Sequence, residues 1–405
     1  MSITYKLFKI LLNTQNCTFN NIVMLSMTSN EIRYLIDNCS NHIHLIGDQI
    51  HLIYAHKKIS RRELEFYIKS FSRMNQLQKV THFNLANNGF EYDEIFFELL
   101  GKLNLQKIKS FNISFNLIKN VLYLPTILCK CEEITYLELA NNNVDSYFLK
   151  LLLDNPKFSN LSHFGLSSNN IGIEGAKNLA SALNCLIRLT NLNLDGCNIK
   201  EAGAISIANG IGLCTGLTSL GLCNNDIGSH AATKIICQCS QLVSLNLGFN
   251  ELEYGENEKI EEFESTLNCL TNLTELNLRA NNIKKLSGFC KVFKNLKLLD
   301  LSENDFYDSD DDENDEINNL VSSLSNNTSL VQLDLSTNDI GPNAAESIVC
   351  ALVKCTNLYS LDLSENQIDD SVEFIEEYCK NNFPALERLY IDDNKKYDKR
   401  YNNDL

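Results

Sequence analysis

Apolar and polar positions recur along this chain in one fixed order: apolar-x-x-apolar-x-apolar-x-x-Asn-x-apolar. A complete copy runs from Leu189 to Ile199. The Asn slot of the twelve clear copies is filled in turn by Asn88, Asn116, Asn142, Asn169, Cys197, Asn225, Asn250, Asn281, Asn304, Asn338, Asn366 and Asn394. Asn88 and Asn394 are 306 residues and eleven steps apart, a mean period near 28. Such a fixed period is typical of a stacked repeat array.

Each copy predicts a strand followed by a helix. The Leu-x-Leu alternation has the period of a strand with one buried face. The phrase after the Asn, as in Gly172–Leu183, spaces its apolar residues like an amphipathic helix. The Asn itself is a polar side chain inside a turn, where its amide can bond backbone groups that would otherwise be unpaired. Cys197 is the one clear departure at this slot.

Two weaker copies precede the twelve clear ones. Their Asn slots are Asn30 and Lys58, spaced 28 and then 30 residues from the next slot. We therefore predict about 14 units, the first two degenerate, because terminal repeats that cap a stack are usually atypical. The predicted division is an N-terminal capping segment over 1–19 and a repeat domain over 20–405.

The repeats resemble the ribonuclease-inhibitor-like subfamily of leucine-rich repeats. The phrases Asn170-Ile171-Gly172-x-x-Gly175-Ala176 and Asn338-Asp339-Ile340-Gly341-x-x-Ala344-Ala345 carry this resemblance. It implies an α/β fold: a right-handed horseshoe solenoid with a parallel sheet on the concave face and helices on the convex face. It also implies that partners bind on the concave face. The fold by itself does not specify which partner.

The charge of the chain is uneven and changes which partners we expect. The formal net charge is −16; residues 1–80 carry ten Lys and Arg against five Asp and Glu, so the remainder carries −21. An acidic body argues against nucleic acid and anionic membranes, and favours a protein partner with a basic or mixed-charge surface. No run of 18 apolar residues suggests a transmembrane helix. We expect a monomeric, cytoplasmic protein.

An acidic insertion at residues 305–316 interrupts the regular period of the repeats. Eight of its twelve residues are acidic, and the step from Asn304 to Asn338 is 34 residues. Three interpretations stay open: a solvated loop, an acidic docking loop, or a calcium site opened by Asp308, Asp310 and Asp312. The calcium interpretation is weakened because Glu313 and Asn319 stand where a calcium loop needs Gly and Glu.

The sequence gives no sign of a catalytic, metal or cofactor site. Cys131, Cys214, Cys239 and Cys355 recur at one phase of the repeat, which predicts buried, reduced thiols rather than ligands. His82 and His163 share a column but lie three repeats apart, roughly 15 Å at the spacing of strands. No phosphate-binding, zinc-protease or nucleophile-elbow motif occurs.

Alternate residues of each strand should face solvent and form columns across the sheet. One column ends in Asp300, Asp334 and Asp362, and Glu303 and Glu365 follow two of these strands. Tyr136 and Tyr390 are candidate aromatic anchors; Phe115 and Phe249 either join them or pack at a strand end. Our candidate partner-binding residues on the concave face are Asp300, Glu303, Asp334, Asp362, Glu365, Tyr136 and Tyr390. The Asp column is either a common phrase of such repeats, Leu-Asp-Leu-Ser, or a docking surface for a cationic partner.

The function predicted from the sequence is a non-catalytic scaffold for protein–protein interaction. The composition, without Trp and with only 4 Pro, suggests an AT-rich genome. A bare repeat array then suits an effector that an intracellular bacterium delivers into a host cell, and a eukaryotic or protist adaptor is the other origin left open. The alternative function is a GTPase-activating regulator resembling the Ran type, although no Arg here matches that family's functional Arg.

Overall fold

The computed structural model describes residues 43–46, 49–53, 80–89, 100, 105–116, 118, 123–154, 156–252, 257–284, 292–306, 315–368 and 371–392. The chain divides into two compact units, Met1–Asn170 and Ile171–Leu405. Each unit is built from the same repeat. The predicted unit at Asn30, the capping segment 1–19 and Asn394 lie outside the described residues.

In the first unit the strands follow chain order in the sheet. They are β1 Ile43–Ile46, β2 Gln49–Ile53, β3 Val80–Asn84, β4 Ser110–Asn112, β5 Tyr136–Glu138 and β6 His163–Gly165. Neighbours from β2 to β6 pair in parallel, whereas β1 pairs with β2 antiparallel. The expected parallel sheet is confirmed from β2 to β6, and the antiparallel β1 is an addition that our sequence prediction did not contain. A signal for it was present in the sequence, because a Gly-Asp pair between two apolar runs is a pattern typical of β-hairpins.

The second unit continues the alternation of strand and helix. Its strands are β7 Asn191–Asn193, β8 Ser219–Gly221, β9 Ser244–Asn246, β10 Glu275–Asn277, β11 Leu298–Asp300, β12 Gln332–Asp334, β13 Ser360–Asp362 and β14 Arg388–Tyr390. All neighbouring pairs within it are parallel and in register. Parallel strands need a crossover between them, and the helices supply it.

Helices fill these crossovers. The α-helices of the described part are α1 Tyr123–Leu128, α2 Ser146–Leu153, α3 Gly172–Leu183, α4 Lys200–Ile211, α5 Gly228–Ile236, α6 Asn257–Leu267, α7 Asp315–Ser325, α8 Pro342–Ala351 and α9 Val372–Asn382. Short 3-10 helices occupy Pro156–Asn160, Val292–Asn295 and Leu352–Lys354. In α3 the buried positions Ala176, Leu179 and Leu183 follow the amphipathic spacing read from the sequence.

The core of each unit lies between sheet and helices. The middle residue of most short strands is buried, as at Leu220, Leu333 and Leu361, each 1% exposed or less. The two residues that flank it in the strand face away from the helices, so they are the ones available to a partner. We call this surface the sheet face.

A ladder of side-chain amides runs along the turns that follow the strands. Asn250 is typical: its Nδ2 donates to the carbonyls of Leu247 at 2.9 Å and Gly248 at 3.0 Å in its own turn, and of Leu222 at 2.9 Å in the preceding repeat. Its Oδ1 accepts the N–H of Asn225 at 3.0 Å. One buried amide thus satisfies backbone groups of two consecutive turns, which repays its own desolvation.

The residue before the ladder Asn is held in the left-handed backbone region in repeat after repeat. Phe115, Phe249, Glu303, Thr337 and Glu365 have φ between 53° and 57°. Such angles are uncommon for residues other than Gly, Asn and Asp. The turn geometry that aims the Asn amide inward thus forces the preceding residue into this region, whatever its side chain.

The acidic insertion is bounded more closely by the structure. Phe306 is 3% exposed and takes the apolar position two residues after Asn304, so it belongs to the repeat. Asp315 and Glu316 open helix α7. Residues 307–314, which include the carboxylates of the calcium interpretation, lie outside the described residues, and the three interpretations of this segment stay predictions.

We expect Asn225→Ala to lower the free energy of unfolding by about 1–3 kcal/mol, because it leaves buried backbone groups without partners. Asn225 donates to the carbonyls of Leu194, Leu222 and Cys223 and accepts the N–H of Cys197 at 3.0 Å. Equilibrium urea unfolding followed by circular dichroism measures the change. Asn272→Ala is the control, since Asn272 is an exposed residue of the same type. Equal unfolding midpoints for the two variants would contradict the role of the ladder.

Candidate functional site

Strand register assembles the candidate acidic residues on the sheet face of the second unit. Asp300 lies beside Asp334, and Asp334 beside Asp362, in three successive strands β11, β12 and β13. Adjacent strands are about 4.8 Å apart. Three carboxylates are therefore lined up across the sheet, as the sequence predicts.

One oxygen of each aspartate has a structural task. Asp334 Oδ1 accepts the backbone N–H of Ser336 at 3.0 Å and its hydroxyl at 2.6 Å. Asp300 with Ser302, and Asp362 with Ser364, make the same pair of bonds. Asn112 does so with Ser114 in the first unit. The phrase Leu-Asp-Leu-Ser thus has a local cause: the side chain satisfies an N–H where the strand ends.

The second oxygen distinguishes the three aspartates. Asp300 Oδ2 accepts the side-chain amide of Asn277 at 3.1 Å. For Asp334 and Asp362, no hydrogen bond to the second oxygen exists among the described residues. Local capping therefore uses half of each of these two carboxylates, and an Asn at either position would cap equally well. The negative charge is more than the turn requires.

These aspartates line an open groove of about 400 Å³ that crosses β9 to β14. Leu298 contributes an apolar patch to its lining, Glu275 adds a further carboxylate, and Tyr390 is 44% exposed. We call this surface the acidic groove and define it by Glu275, Leu298, Asp300, Asp334, Asp362 and Tyr390. It combines negative charge with apolar surface, the combination that suits the methylene stem and charged head of a basic side chain.

Burial and mutual repulsion act on the carboxylates of the groove. Burial raises the pKa of Asp300, and the neighbouring charge of Asp334 raises it further, against the lowering effect of the hydrogen bonds from Ser302. The pKa of Asp362 is raised by burial and then by the charges of Asp334 and Glu365, again against hydrogen bonds from its serine. The folded chain therefore holds these charges at an energetic disadvantage.

The two glutamates of the candidate site lie in the turns just beyond the groove. Glu303 forms an ion pair with Arg279, whose guanidinium also lies over the ring of Phe249 at 5.6 Å from its centroid. Glu365 accepts a hydrogen bond from Thr337 at 3.1 Å. Part of the acidic field is thus neutralised by a residue that the sequence analysis missed. The sequence did contain a signal for it. Arg279 is the only basic residue at the position two residues before the Asn slot of the twelve clear repeats, which the others fill with Ala, Ser, Gly, Cys or Asp.

The aromatic candidates divide between the units. Tyr390 belongs to the acidic groove, whereas Tyr136 lies in β5 of the first unit, where its ring stacks on His163. Phe115 and Phe249 are 53% and 41% exposed. Their left-handed backbone places them at the strand-end turns, so neither belongs to the core, and the guanidinium of Arg279 lies over the ring of Phe249.

The described part of the chain shows no metal site, and the cysteines that recur at one phase of the repeat are buried. Within it, no group of three His, Cys, Asp or Glu is arranged to hold a metal ion. Cys131, Cys214, Cys239 and Cys355 are all buried, with 0% exposure. Burial raises the pKa of Cys214 to about 11 and that of Cys239 to about 12, so both are neutral thiols at physiological pH. No helix in the described ranges is long and apolar enough to cross a bilayer.

Comparison with known proteins identifies the repeat. A family model described as "Leucine Rich repeat" matches residues 159–180, 326–349 and 354–371. Each matched range contains a strand or a ladder Asn of the structure, with the spacing that the sequence pattern predicts. The chain is a leucine-rich-repeat protein. The α/β leucine-rich-repeat fold predicted from the sequence is therefore confirmed, while the ribonuclease-inhibitor-like subfamily stays a prediction.

Two known proteins are similar to parts of this chain. The chain is 25% identical over 237 residues to the transforming growth factor beta activator LRRC33 of Danio rerio. The aligned region covers 58% of this chain and 29% of that relative. The match thus spans less than a third of the relative's length. A crystal structure of an internalin (inlF) from Listeria monocytogenes is 20% identical to this chain in sequence, with a TM-score of 0.46. The superposed region covers 78% of this chain and 88% of the internalin chain.

We expect Asp334→Asn and Asp334→Ala to change stability in opposite directions. Asn keeps the acceptor for Ser336 and removes repulsion, so the free energy of unfolding should rise by a fraction of a kcal/mol, roughly 0.2–0.5. Ala removes both hydrogen bonds and should lower it by about 1–2 kcal/mol. Urea unfolding of the two variants beside the parent measures both effects. Stabilisation by Ala would show that the capping bonds contribute nothing.

The raised pKa values predict how the repulsion depends on pH. The folded chain keeps protons on Asp300 and Asp362 to a higher pH than the unfolded chain does. The free energy of unfolding therefore falls as the pH rises from the ordinary pKa of Asp to the raised pKa in the folded chain. The loss is complete above that window and persists at neutral pH. The stability of the variant Asp300→Asn with Asp362→Asn, measured relative to the parent, should therefore be highest at neutral pH, with a pH-independent loss for the bond from Asn277 that Asp300 accepts. This relative stability should fall as the pH falls towards the ordinary Asp value, and a difference that is constant with pH would contradict the assignment.

Proposed function

We propose that this leucine-rich-repeat protein is a non-catalytic interaction module, and that its acidic groove binds a positively charged segment of a protein partner. The leucine-rich-repeat fold is a general scaffold for protein interaction. The proposal adds the place and the chemistry of the contact. The observation that carries it is the row of Asp300, Asp334 and Asp362 across one open groove.

The energetics of the row support a cationic partner. Like charges facing one another across strands destabilise a sheet, and the capping bonds to the serines need only one carbonyl-type oxygen each. A positive side chain between Asp334 and Asp362 would meet the two oxygens that have no hydrogen bond within the described residues. It would offset the negative charge of Asp334, which adds to the effect of burial in raising the pKa of Asp362, so the binding of the cation and the ionisation of the aspartates favour each other.

The rim of the groove adds contact surface around the charges. Leu298 can pack against the methylene groups of a Lys or Arg, and the exposed ring of Tyr390 offers an aromatic anchor at one end. Aromatic residues in such places often dominate the energetics of protein interfaces. The partner we propose is therefore a basic segment with apolar stems, not a small anion or a nucleic acid.

The wider setting is part of the proposal and rests on the sequence alone. We place the interaction in the cytoplasm, which the composition and the cysteine pattern favour. Delivery into a host cell as a bacterial effector stays a prediction from composition, as does a monomeric state. The alternative function, a GTPase-activating regulator, predicts a different result: a small GTPase would hydrolyse GTP faster when the protein is added.

A labelled hexa-arginine peptide tests the groove. We expect the full chain to bind it in fluorescence anisotropy, with an affinity that falls as salt is added. The triple variant Asp300→Asn, Asp334→Asn, Asp362→Asn should bind more weakly and with a shallower salt dependence. Asn preserves the capping bonds to the three serines, although Asp300→Asn gives up the bond from Asn277, so urea unfolding first checks that the triple variant is folded under the assay conditions.

A matched control separates the groove from net charge. Glu373→Gln, Glu376→Gln and Glu377→Gln remove the same three charges from exposed positions of helix α9. This control should bind hexa-arginine nearly as well as the parent. If the control loses affinity and salt dependence as much as the groove variant does, the peptide responds to overall charge and the groove is not the binding site.

A further inference from the structure

The charge of the chain changes sign directly after the last described strand. Residues 301–394 contain 22 Asp and Glu against three Lys and Arg, whereas residues 395–401 read Lys-Lys-Tyr-Asp-Lys-Arg-Tyr, with four basic residues and one acidic. We call residues 395–401 the basic segment. It lies outside the described residues, of which Asp392 is the last before it. A cationic run is thus joined directly to the most acidic part of the chain.

The basic segment also departs from the repeat pattern. The position two residues after the Asn slot is Ile, Leu, Val or Phe in the other eleven clear repeats. Ile340 and Ile368 occupy it with 0% exposure. In the repeat of Asn394 the same position is Lys396. Because a lysine is almost never fully buried, this repeat lacks the side chain that the others add to the core, and the repeat pattern gives no structural task to the basic charges.

The acidic groove lies within reach of the basic segment. Tyr390 in β14 pairs in register with Asp362, and Asp362 pairs with Asp334. The two aspartates therefore lie about 5 and 10 Å across the sheet from β14. An extended chain spans up to about 3.5 Å per residue, which allows about 14 Å from Asp392 to Lys396 and about 25 Å to Lys399. The segment is thus long enough to turn back over the sheet and bring its ammonium groups to both carboxylates.

The chemistry of the groove matches that of the segment. The second carboxylate oxygens of Asp334 and Asp362 accept no hydrogen bond within the described residues. The neighbouring charges that act on the pKa of Asp362, those of Asp334 and Glu365, both raise it. Arg388, the cation of β14, has its guanidinium 5.3 Å from the ring centroid of Tyr359. Negative charge therefore remains to be balanced in the groove, beside the apolar surface of its lining, and a segment of alternating basic and tyrosine residues supplies both kinds of contact.

We propose that the basic segment binds in the acidic groove of its own chain and competes there with a basic partner. This inference rests on the proposed function, because both occupants use the same carboxylates. A segment tethered this closely has an effective concentration in the millimolar range. It can therefore occupy the groove without high intrinsic affinity. A partner must displace it, so the groove selects partners that are more basic than the segment itself.

Helix α9 carries the acidic surface that competes for the segment. Glu373, Glu376 and Glu377 are exposed on it. Ion pairs at exposed positions contribute little, because water screens both charges. Asp334 and Asp362 are partly buried, and pairs at such positions are screened less. The groove is therefore the favoured site, and the helix provides an internal comparison for the test.

Carbodiimide cross-linking of the full chain tests the contact without any partner. The reagent joins a lysine amine to a carboxylate where the two are in contact. In a mixture of unlabelled and isotope-labelled protein, we expect amide links within single chains, from Lys395, Lys396 or Lys399 to Asp334 or Asp362, as identified by peptide mass spectrometry. Links that fall equally on the three glutamates of α9, or links that join a labelled to an unlabelled chain, would overturn the proposal.

Neutralising the basic segment should open the groove to a partner. The segment variant carries Lys395→Gln, Lys396→Gln, Lys399→Gln and Arg400→Gln. We expect it to bind labelled hexa-arginine about two- to tenfold more tightly than the full parent chain does in fluorescence anisotropy. That factor is expected when a tethered competitor at about 1 mM effective concentration has a dissociation constant of about 0.1–1 mM.

A matched control separates competition from net charge. Lys177→Gln, Lys234→Gln, Lys294→Gln and Lys380→Gln remove the same four charges from exposed positions elsewhere in the second unit. This control should gain less affinity for hexa-arginine than the segment variant, and an equal gain would refute competition by the segment. If no form of the chain binds hexa-arginine, the proposed function fails, whereas the cross-links still decide whether the segment occupies the groove.

Discussion

One buried amide per repeat, replaced by the thiol of Cys197 in one of the described repeats, is the contact on which the rest of this protein depends. After every strand the chain turns sharply beneath the helices, and the turn carries backbone groups that neither a strand nor a helix can satisfy. The ladder Asn donates to carbonyls of its own turn and of the preceding one, and accepts an N–H from the preceding one, as Asn250 does. Because an unpaired buried backbone group is costly, consecutive turns are locked at one offset.

The fixed offset between consecutive turns determines which side chains become neighbours on the sheet face. With the turns locked, the three-residue strands within each unit pair with their side chains in register, and residues about one repeat apart in sequence become neighbours. A function on the sheet face is therefore composed from different repeats, each supplying one or two side chains. The acidic groove of the second unit and the stack of Tyr136 on His163 in the first unit are both built in this way, from positions that the core does not constrain.

The same positions also carry structural duties, and the two roles can be separated chemically. The Asp column caps the end of each strand, a task for which Asn serves equally in β4, so capping explains a polar residue there but not its charge. Glu303 and Thr337 show a similar overlap, since both sit in left-handed turns imposed by the ladder yet contact the neighbouring repeat through their side chains. Local geometry selects a class of residue at these positions and does not fix the choice within that class.

The sequence by itself determined the repeat, its period, the positions of the strands and the ladder Asn, because each follows from apolar spacing within a few residues. It also placed Asp300, Asp334 and Asp362 in one column. It did not determine the pairing of Arg279 with Glu303, or the stack of Tyr136 on His163 fixed by Glu138 over Gly165. Those features depend on how side chains of adjacent repeats lean towards one another. Only the packed structure decides this, because neighbours in space are here some 24 to 27 residues apart along the chain.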